Sequence, residues 1–199
     1  MAGAFPISTA QFQSLGIRSI QNTIISKSQS GKKLDRQVDG QRWSFTARII
    51  TAKRSDVYGQ LMAFIIKQRS GKENFTIVPP EVEDARGTAS GTPTGTASAG
   101  DTSITLGGTG TGTLKAGDFI KFANHSKVYM VVADQSDIST GTLTIEPPLT
   151  TAVSSSDIQY DDVPFTVYLT NDIQEFGVVG AGQDGTLLYQ FEFDVEEAL

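Results

Sequence analysis

Cysteine is absent from the 199 residues, histidine and tryptophan occur once each, and no apolar run exceeds six residues, as at Leu61–Ile66. Each shortage excludes a class of chemistry. Without cysteine there is no disulfide framework, no thiolate nucleophile and no zinc or iron–sulfur site built on thiolates. One histidine cannot supply a multi-histidine metal site within one chain. Six apolar residues fall far short of the roughly 20 that a membrane-spanning helix needs. The opening Met-Ala-Gly-Ala-Phe-Pro lacks the basic and apolar regions of a signal peptide. These absences lead us to expect a soluble protein, made and kept in a cytosol or released from one by lysis. At this length a chain buries roughly 70% of its unfolded surface, so a hydrophobic core suffices without a covalent staple.

Charge is present but divided. Residues 1–86 carry 13 Lys and Arg against 7 Asp and Glu, whereas residues 87–199 carry 3 against 15, so nets of +6 and −12 sum to the overall −6. Nucleic-acid binding by the first part is disfavoured, because its basic residues are spread out and the acidic remainder would repel phosphate. The division is better explained by the two parts packing on each other, within a subunit or between neighbours.

The hydrophobic pattern is that of a sheet protein. Trp43 and Phe45 alternate with Arg42 and Ser44 in a strand over residues 37–47, preceded by an Asp39-Gly40 turn signal. Further strands are expected at 75–78, 119–122, 128–132, 142–145, 163–169, 174–177 and 187–195. One stretch departs from this period. From Ser55 to Arg69, Val57, Leu61, Phe64 and Ile65 follow a helical stripe, with Ser55 or Asp56 as N-cap and Gly71 as the stop.

Between Gly87 and Thr113, 17 of 27 residues are Gly or Thr. That composition buries little apolar area, so residues 87–100 are expected to form a flexible or extended linker. Residues 101–158 are expected to form a small inserted β-barrel or β-sandwich. Residues 1–86 and 159–199 together would then form a discontinuous main domain, because two or three terminal strands are marginal alone. The fold class is mainly β: an antiparallel β-sandwich main domain with one short helix, plus the inserted module.

No constellation of catalytic residues emerges, and no cofactor is expected. His125 sits between two apolar strands beside Asn124 and Ser126, the setting of a polar hairpin turn rather than of an oriented general base. Asp161, Asp162, Glu175, Asp194, Glu196 and Glu197 could supply a glycosidase pair, but the single Trp lies in the other part of the charge map. Gly107–Gly112 leads into a strand and not a helix, and Gly31-Lys32 lacks the upstream glycine of a P-loop. Tyr129 and Tyr160 are candidate glycan contacts in the inserted module, although alternation turns most of its aromatics toward its own core.

Several segments resemble structural proteins of tailed-bacteriophage tail tips, the distal-tail or baseplate-hub group. They are Gln41-Arg42-Trp43-Ser44-Phe45-Thr46, the helix with Gly59-Gln60-Leu61-Met62-Ala63-Phe64, Arg69-Ser70-Gly71 and Phe75–Pro80. Asp162–Val167 and Phe191–Glu197 are similar to the closing strands of such proteins, and 116–122, 128–132 and 143–149 to small β-domains that recur in phage tails. The resemblance implies a non-enzymatic tail component in a virion, assembled in the host cytoplasm. It further implies a closed ring of six copies that joins tail tube to baseplate or tip proteins, with no nucleic acid or membrane as partner. The alternative is a module binding host-surface glycan. Lys32, Lys33 and Arg36 are the expected subunit-interface residues, left over when the remaining charge pairs within the subunit.

Overall fold

A computed structural model describes residues 3–7, 11–37, 40–80 and 82–199. The expected turn residue Asp39 and the opening Met1-Ala2 lie outside them.

Four strands open the chain: β1 (Phe12–Ile20), β2 (Thr23–Lys27), β3 (Lys33–Gln37) and β4 (Arg42–Ile49). In β4 the side chains of Trp43, Phe45, Ala47 and Ile49 are buried, while Arg42, Ser44, Thr46 and Arg48 face outward. That period of two is the signature of a strand with one face on a core. A two-residue strand β5 (Ala52–Lys53) leads into a π-helical turn (Arg54–Tyr58), the helix α1 (Gly59–Lys67) and β6 (Phe75–Ile77).

After an excursion through six strands the chain returns with β13 (Phe165–Leu169), β14 (Phe176–Ala181) and β15 (Leu187–Glu197). First and last strands share one seven-stranded sheet in the order β1-β4-β15-β13-β6, with β14 and β5 pairing the first part of β15. Every neighbouring strand pair is antiparallel. The registers Ile20↔Arg42, Ser44↔Glu196, Val167↔Glu197 and Phe165↔Ile77 bring the end of β1, the start of β4, the end of β15, the start of β13 and the end of β6 to the same end of the sheet.

The basic early strand lies directly against the acidic last one. Arg42 pairs with Glu196 at 3.1 Å, Thr46 Oγ1 donates to Asp194 at 2.6 Å, and Lys53 pairs with Asp184 at 2.5 Å. Part of the charge asymmetry is thus neutralised within the chain. The contacts of Arg42 and Thr46 are part-buried and favour the strand register, while the exposed Lys53–Asp184 pair adds little stability.

The core beneath the sheet contains Trp43, Phe45, Leu61, Ile65, Phe75, Phe165, Val167 and Phe191, as the sequence pattern predicts, with Phe64 half-buried at its margin. Phe45 packs edge-on against Phe165 at 4.8 Å. Leu188 in β15 lies outside this core. In β15 the buried side chains are Phe191, Phe193, Val195 and Glu197, so an even-numbered residue falls on the opposite face.

The helix differs from expectation at both ends. It starts at Gly59 without a side-chain cap, and Ser55 donates to Asp56 instead of to the helix backbone. At its C-terminus Arg69 and Ser70, not Gly71, take the left-handed conformation, with φ of 53° and 59°. Gly71 is required by packing: a Cβ there would stand 2.6 Å from the Leu169 carbonyl oxygen.

The excursion forms a closed barrel from β7 (Pro93–Ala97), β8 (Ser103–Gly108), β9 (Phe119–Phe122), β10 (Val128–Val131), β11 (Thr142–Glu146) and β12 (Val153–Gln159). Their cyclic order is β10-β11-β8-β7-β12-β9. Closure removes free edges, and Ile104, Phe122, Tyr129, Leu143 and Ile145 fill the interior.

Residues 87–100, expected as a linker, are part of this unit. They contribute β7, and Ser90 and Thr111 exchange backbone hydrogen bonds of 2.8 Å in both directions. The glycines permit two backbones to touch. A Cβ on Gly87 would lie 1.9 Å from the Thr113 carbonyl oxygen, and one on Gly112 2.1 Å from that of Thr88. A composition that resembles a flexible tether is here the composition of close backbone contact.

Candidate assembly surfaces

The barrel is fastened to the sheet at the end where β4 begins and β15 stops. Lys127, just before β10, is buried and forms an ion pair of 2.5 Å with Glu197, whose side chain is fully buried. Lys127 also donates to Gln41 Oε1 at 2.7 Å. The Glu197 carboxylate further accepts the backbone N–H groups of Val128 at 2.9 Å and Trp43 at 3.2 Å. Trp43 crosses the junction too, donating through Nε1 to the Val128 carbonyl at 2.9 Å and packing edge-on against Phe119 at 5.0 Å. Burial pushes the Lys127 ammonium below its ordinary pKa, and the Glu197 carboxylate opposes that shift. Such an arrangement positions two units; its polar groups are mutually satisfied and none is presented to a ligand.

Beside this junction lies a cleft of about 490 Å³ between sheet and barrel, bordered by Ile17, Trp43, Phe119, Met130, Gln21 and Glu146. It opens next to the root of an exposed element, since Gln21 on its border directly precedes β2. Among the described residues, strands β2 and β3 pair only with each other, forming a two-stranded arm outside both sheets. Every residue of β2 is exposed. Ile24, Ile25 and Leu34 are 61%, 59% and 50% exposed, values expected of polar side chains. The turn is held by Gly31 N–H to Ser28 O at 2.9 Å and by Ser28 N–H to Lys32 O at 2.9 Å.

Lys32, Lys33 and Arg36, singled out from the charge map, all fall on this arm. Lys33 pairs with Asp35 at 2.9 Å, while Lys32 and Arg36 form no ion pair among the described residues. The registers Ile24↔Arg36 and Ser26↔Leu34 put Ile24, Leu34 and Arg36 on one face; Ile25, Lys27, Lys33 and Asp35 share the other. An isolated two-stranded ribbon is marginal in water, and this arm carries both apolar side chains and cations that the rest of the chain leaves uncovered.

The arm is not among the strands expected from the sequence, the first of which spans residues 37–47. A signal was present: Thr-Ile-Ile and Lys-Lys-Leu-Asp-Arg flank Ser-Gln-Ser-Gly, a turn composition.

The remaining candidates are dispersed. Tyr129 is fully buried and Tyr160 nearly so; their hydroxyls bond Thr150 Oγ1 at 3.0 Å and the Gly91 carbonyl at 2.9 Å. Both rings belong to the barrel core, which removes them as a glycan-stacking surface. Of the acids, Asp194 accepts from Thr46, Glu196 pairs with Arg42, and Glu197 lies in the junction. Glu175 stands apart near Arg48 and Glu192. Asp161 and Asp162 lie near Glu83 and Asp84, where burial and then the neighbouring carboxylates raise the pKa values of Asp161 and Glu83.

His125 is a structural histidine. Nδ1 lies 2.7 Å from Asn124 Oδ1 and Nε2 lies 2.8 Å from the Tyr129 hydroxyl. With Nδ1 protonated toward the amide oxygen, Nε2 accepts the Tyr129 proton, and that hydroxyl in turn accepts the Thr150 N–H at 3.1 Å. Burial, followed by the Lys121 charge, lowers the His125 pKa from 6.5. Between the folded and unfolded pKa values the unfolded chain therefore binds more protons, so stability falls as pH drops below about 6.5. Urea unfolding of wild type and His125→Asn across pH 5–8 should show this acid-side slope flattened in the variant; equal slopes would remove His125 as its source.

Residues 82–161 match the family described as Distal tail protein pb9, B domain. The match covers the barrel with its entering and leaving segments, and it bears out the resemblance to phage distal tail proteins read from the sequence. It supports a structural role in a phage tail. No curated protein matches the chain significantly.

Proposed function

We propose that this protein is a non-enzymatic subunit of a bacteriophage tail that forms a closed ring at its distal end and joins the tail tube to baseplate or tip proteins. The observation that carries the reading is the β2–β3 arm. A subunit with a filled core and a hydrogen-bonded junction between sheet and barrel nevertheless projects Ile24, Ile25, Leu34 and three unneutralised or weakly neutralised cations into solvent. Exposed apolar groups rimmed by charge mark surfaces that are covered in an assembly. An arm leaving one edge of the subunit suits a heterologous contact, and heterologous contacts close into rings when the rotation permits. The match of the barrel to a distal tail protein domain supports placement in the tail, and a ring of six copies is the number that the resemblance implies.

Reversing Lys32, Lys33 and Arg36 together to Glu should weaken assembly at low salt while leaving the thermal melt of the subunit unchanged, because all three lie outside its core. The deficit should shrink near 1 M salt, where the Debye length falls to about 3 Å. Mass photometry across a concentration series reads both effects, and unchanged assembly in the triple variant would retire the cluster as an interface.

A further inference from the structure

We infer that the arm of one copy docks into a specific acidic-rimmed apolar pocket on the next copy, at the opposite edge of its sheet. This rests on the ring reading and adds the acceptor. The pocket, of about 350 Å³, is lined by Phe5, Ile7, Ile77 and Val78, with Glu83 and Asp162 at its rim. Its chemistry is the complement of the arm's: aliphatic and aromatic surface for Ile24 and Leu34, and carboxylates for Arg36 on the same arm face, with Lys32 in the adjoining turn.

The acids at the rim, Glu83 and Asp162, and their neighbours Asp84 and Asp161 have no cation beside them, although Asp161 and Asp84 accept the backbone N–H groups of Ala85 and Asp162. Among the described residues Glu83, Asp84, Asp161 and Asp162 form no ion pair, and the raised pKa of Glu83, owed first to burial and then to Asp84 and Asp162, is that of a carboxylate without a neighbouring cation. An incoming cation would relieve this repulsion.

Position in the fold supplies the second argument. The arm springs from β1 and β4 at one edge of the sheet, and the pocket lies on β6, the strand at the far edge of the order β1-β4-β15-β13-β6. Both lie at the same end of their strands, since Ile20 and Arg42 terminate that end on one side and Ile77 on the other. Donor and acceptor on opposite edges, level with each other, displace successive copies across the sheet rather than along its strands. That is the disposition a flat head-to-tail ring needs.

The absence of native cysteine makes the test clean. Leu34→Cys and Val78→Cys are combined in the full chain, with each single variant as control, and oxidised at low concentration of catalyst. Assembly mass is read by native mass spectrometry before oxidation, and linkage by non-reducing gels after it. Docking as inferred gives a ladder of covalent oligomers in the double variant and at most dimers in the singles. An intact ring without the ladder overturns the acceptor while sparing the ring reading. A monomer by mass overturns both, and a disulfide within one copy shows the arm folded onto its own subunit and overturns the docking.

Charge exchange gives an independent reading. Glu83→Lys with Asp84→Lys should raise the concentration for half-assembly by about tenfold, the weight of two or three exposed ion pairs. Adding the Glu reversals of Lys32, Lys33 and Arg36 should restore it; failure of that rescue, with both parents folded, overturns the pairing.

Discussion

Replacing Lys127 by Met should destabilise the protein by about 3–5 kcal/mol, because it leaves the Glu197 carboxylate buried and unpaired. Lys127 is 2% exposed and Glu197 1%, so water cannot take over the lost interaction. The Val128 and Trp43 N–H groups still reach the carboxylate at 2.9 and 3.2 Å, which keeps the loss from reaching the cost of a fully isolated charge. A second substitution separates charge from shape. Lys127→Met with Glu197→Gln removes both charges but leaves an oxygen for only one of the two backbone donors, which bond different carboxylate oxygens, so part of the loss should be recovered. Urea denaturation of the three proteins measures this. If single and double variants unfold alike, the charge is not what Lys127 supplies.

Trp43→Ala should cost a similar about 3–5 kcal/mol, through a different mechanism. The indole fills space between sheet and barrel, touching Phe119 edge-on at 5.0 Å, and its Nε1–H satisfies the Val128 carbonyl. Truncation leaves both a cavity and an unpaired acceptor. Trp43→Phe keeps much of the volume and loses only the donor, so it should fall near the 1–3 kcal/mol cost of one orphaned buried group, roughly. Phe64→Ala should cost less than Trp43→Ala, since Phe64 is only half-buried at the margin of the core. Equal losses at Trp43 and Phe64 would contradict the burial order. Because Trp43 and Lys127 both contact Val128 or Glu197, their combined loss should be less than additive.

Local pattern carried much of this fold. The alternation in Arg42–Ile49 identifies β4 and its buried face, and the stripe Val57, Leu61, Ile65 identifies the helix side turned to the core, because both depend only on the geometry of neighbouring residues. The charge division foretold that basic and acidic strands meet, as Arg42 and Glu196 do across 154 positions. Composition misled where the same residues serve two ends. Gly and Thr in 87–100 suit a tether or two backbones in contact, and only the partner at Thr111–Thr113 decides for the latter.

Tertiary structure alone decided the rest. Nothing local to Lys127 says that it is buried, since its partner lies 70 positions away and its second acceptor, Gln41, lies 86 away in the other direction. The cations Lys32, Lys33 and Arg36 were legible as surplus charge, but their place on an arm flanked by Ile24 and Leu34 depends on β2 and β3 finding no third strand. The pocket at Phe5 and Ile77 joins the chain's start, the end of β6 and the loop leaving the barrel. Sequence determined which side chains seek burial and which strand faces they occupy; the order of strands determined which remain uncovered, because burial is a property of the whole packed chain.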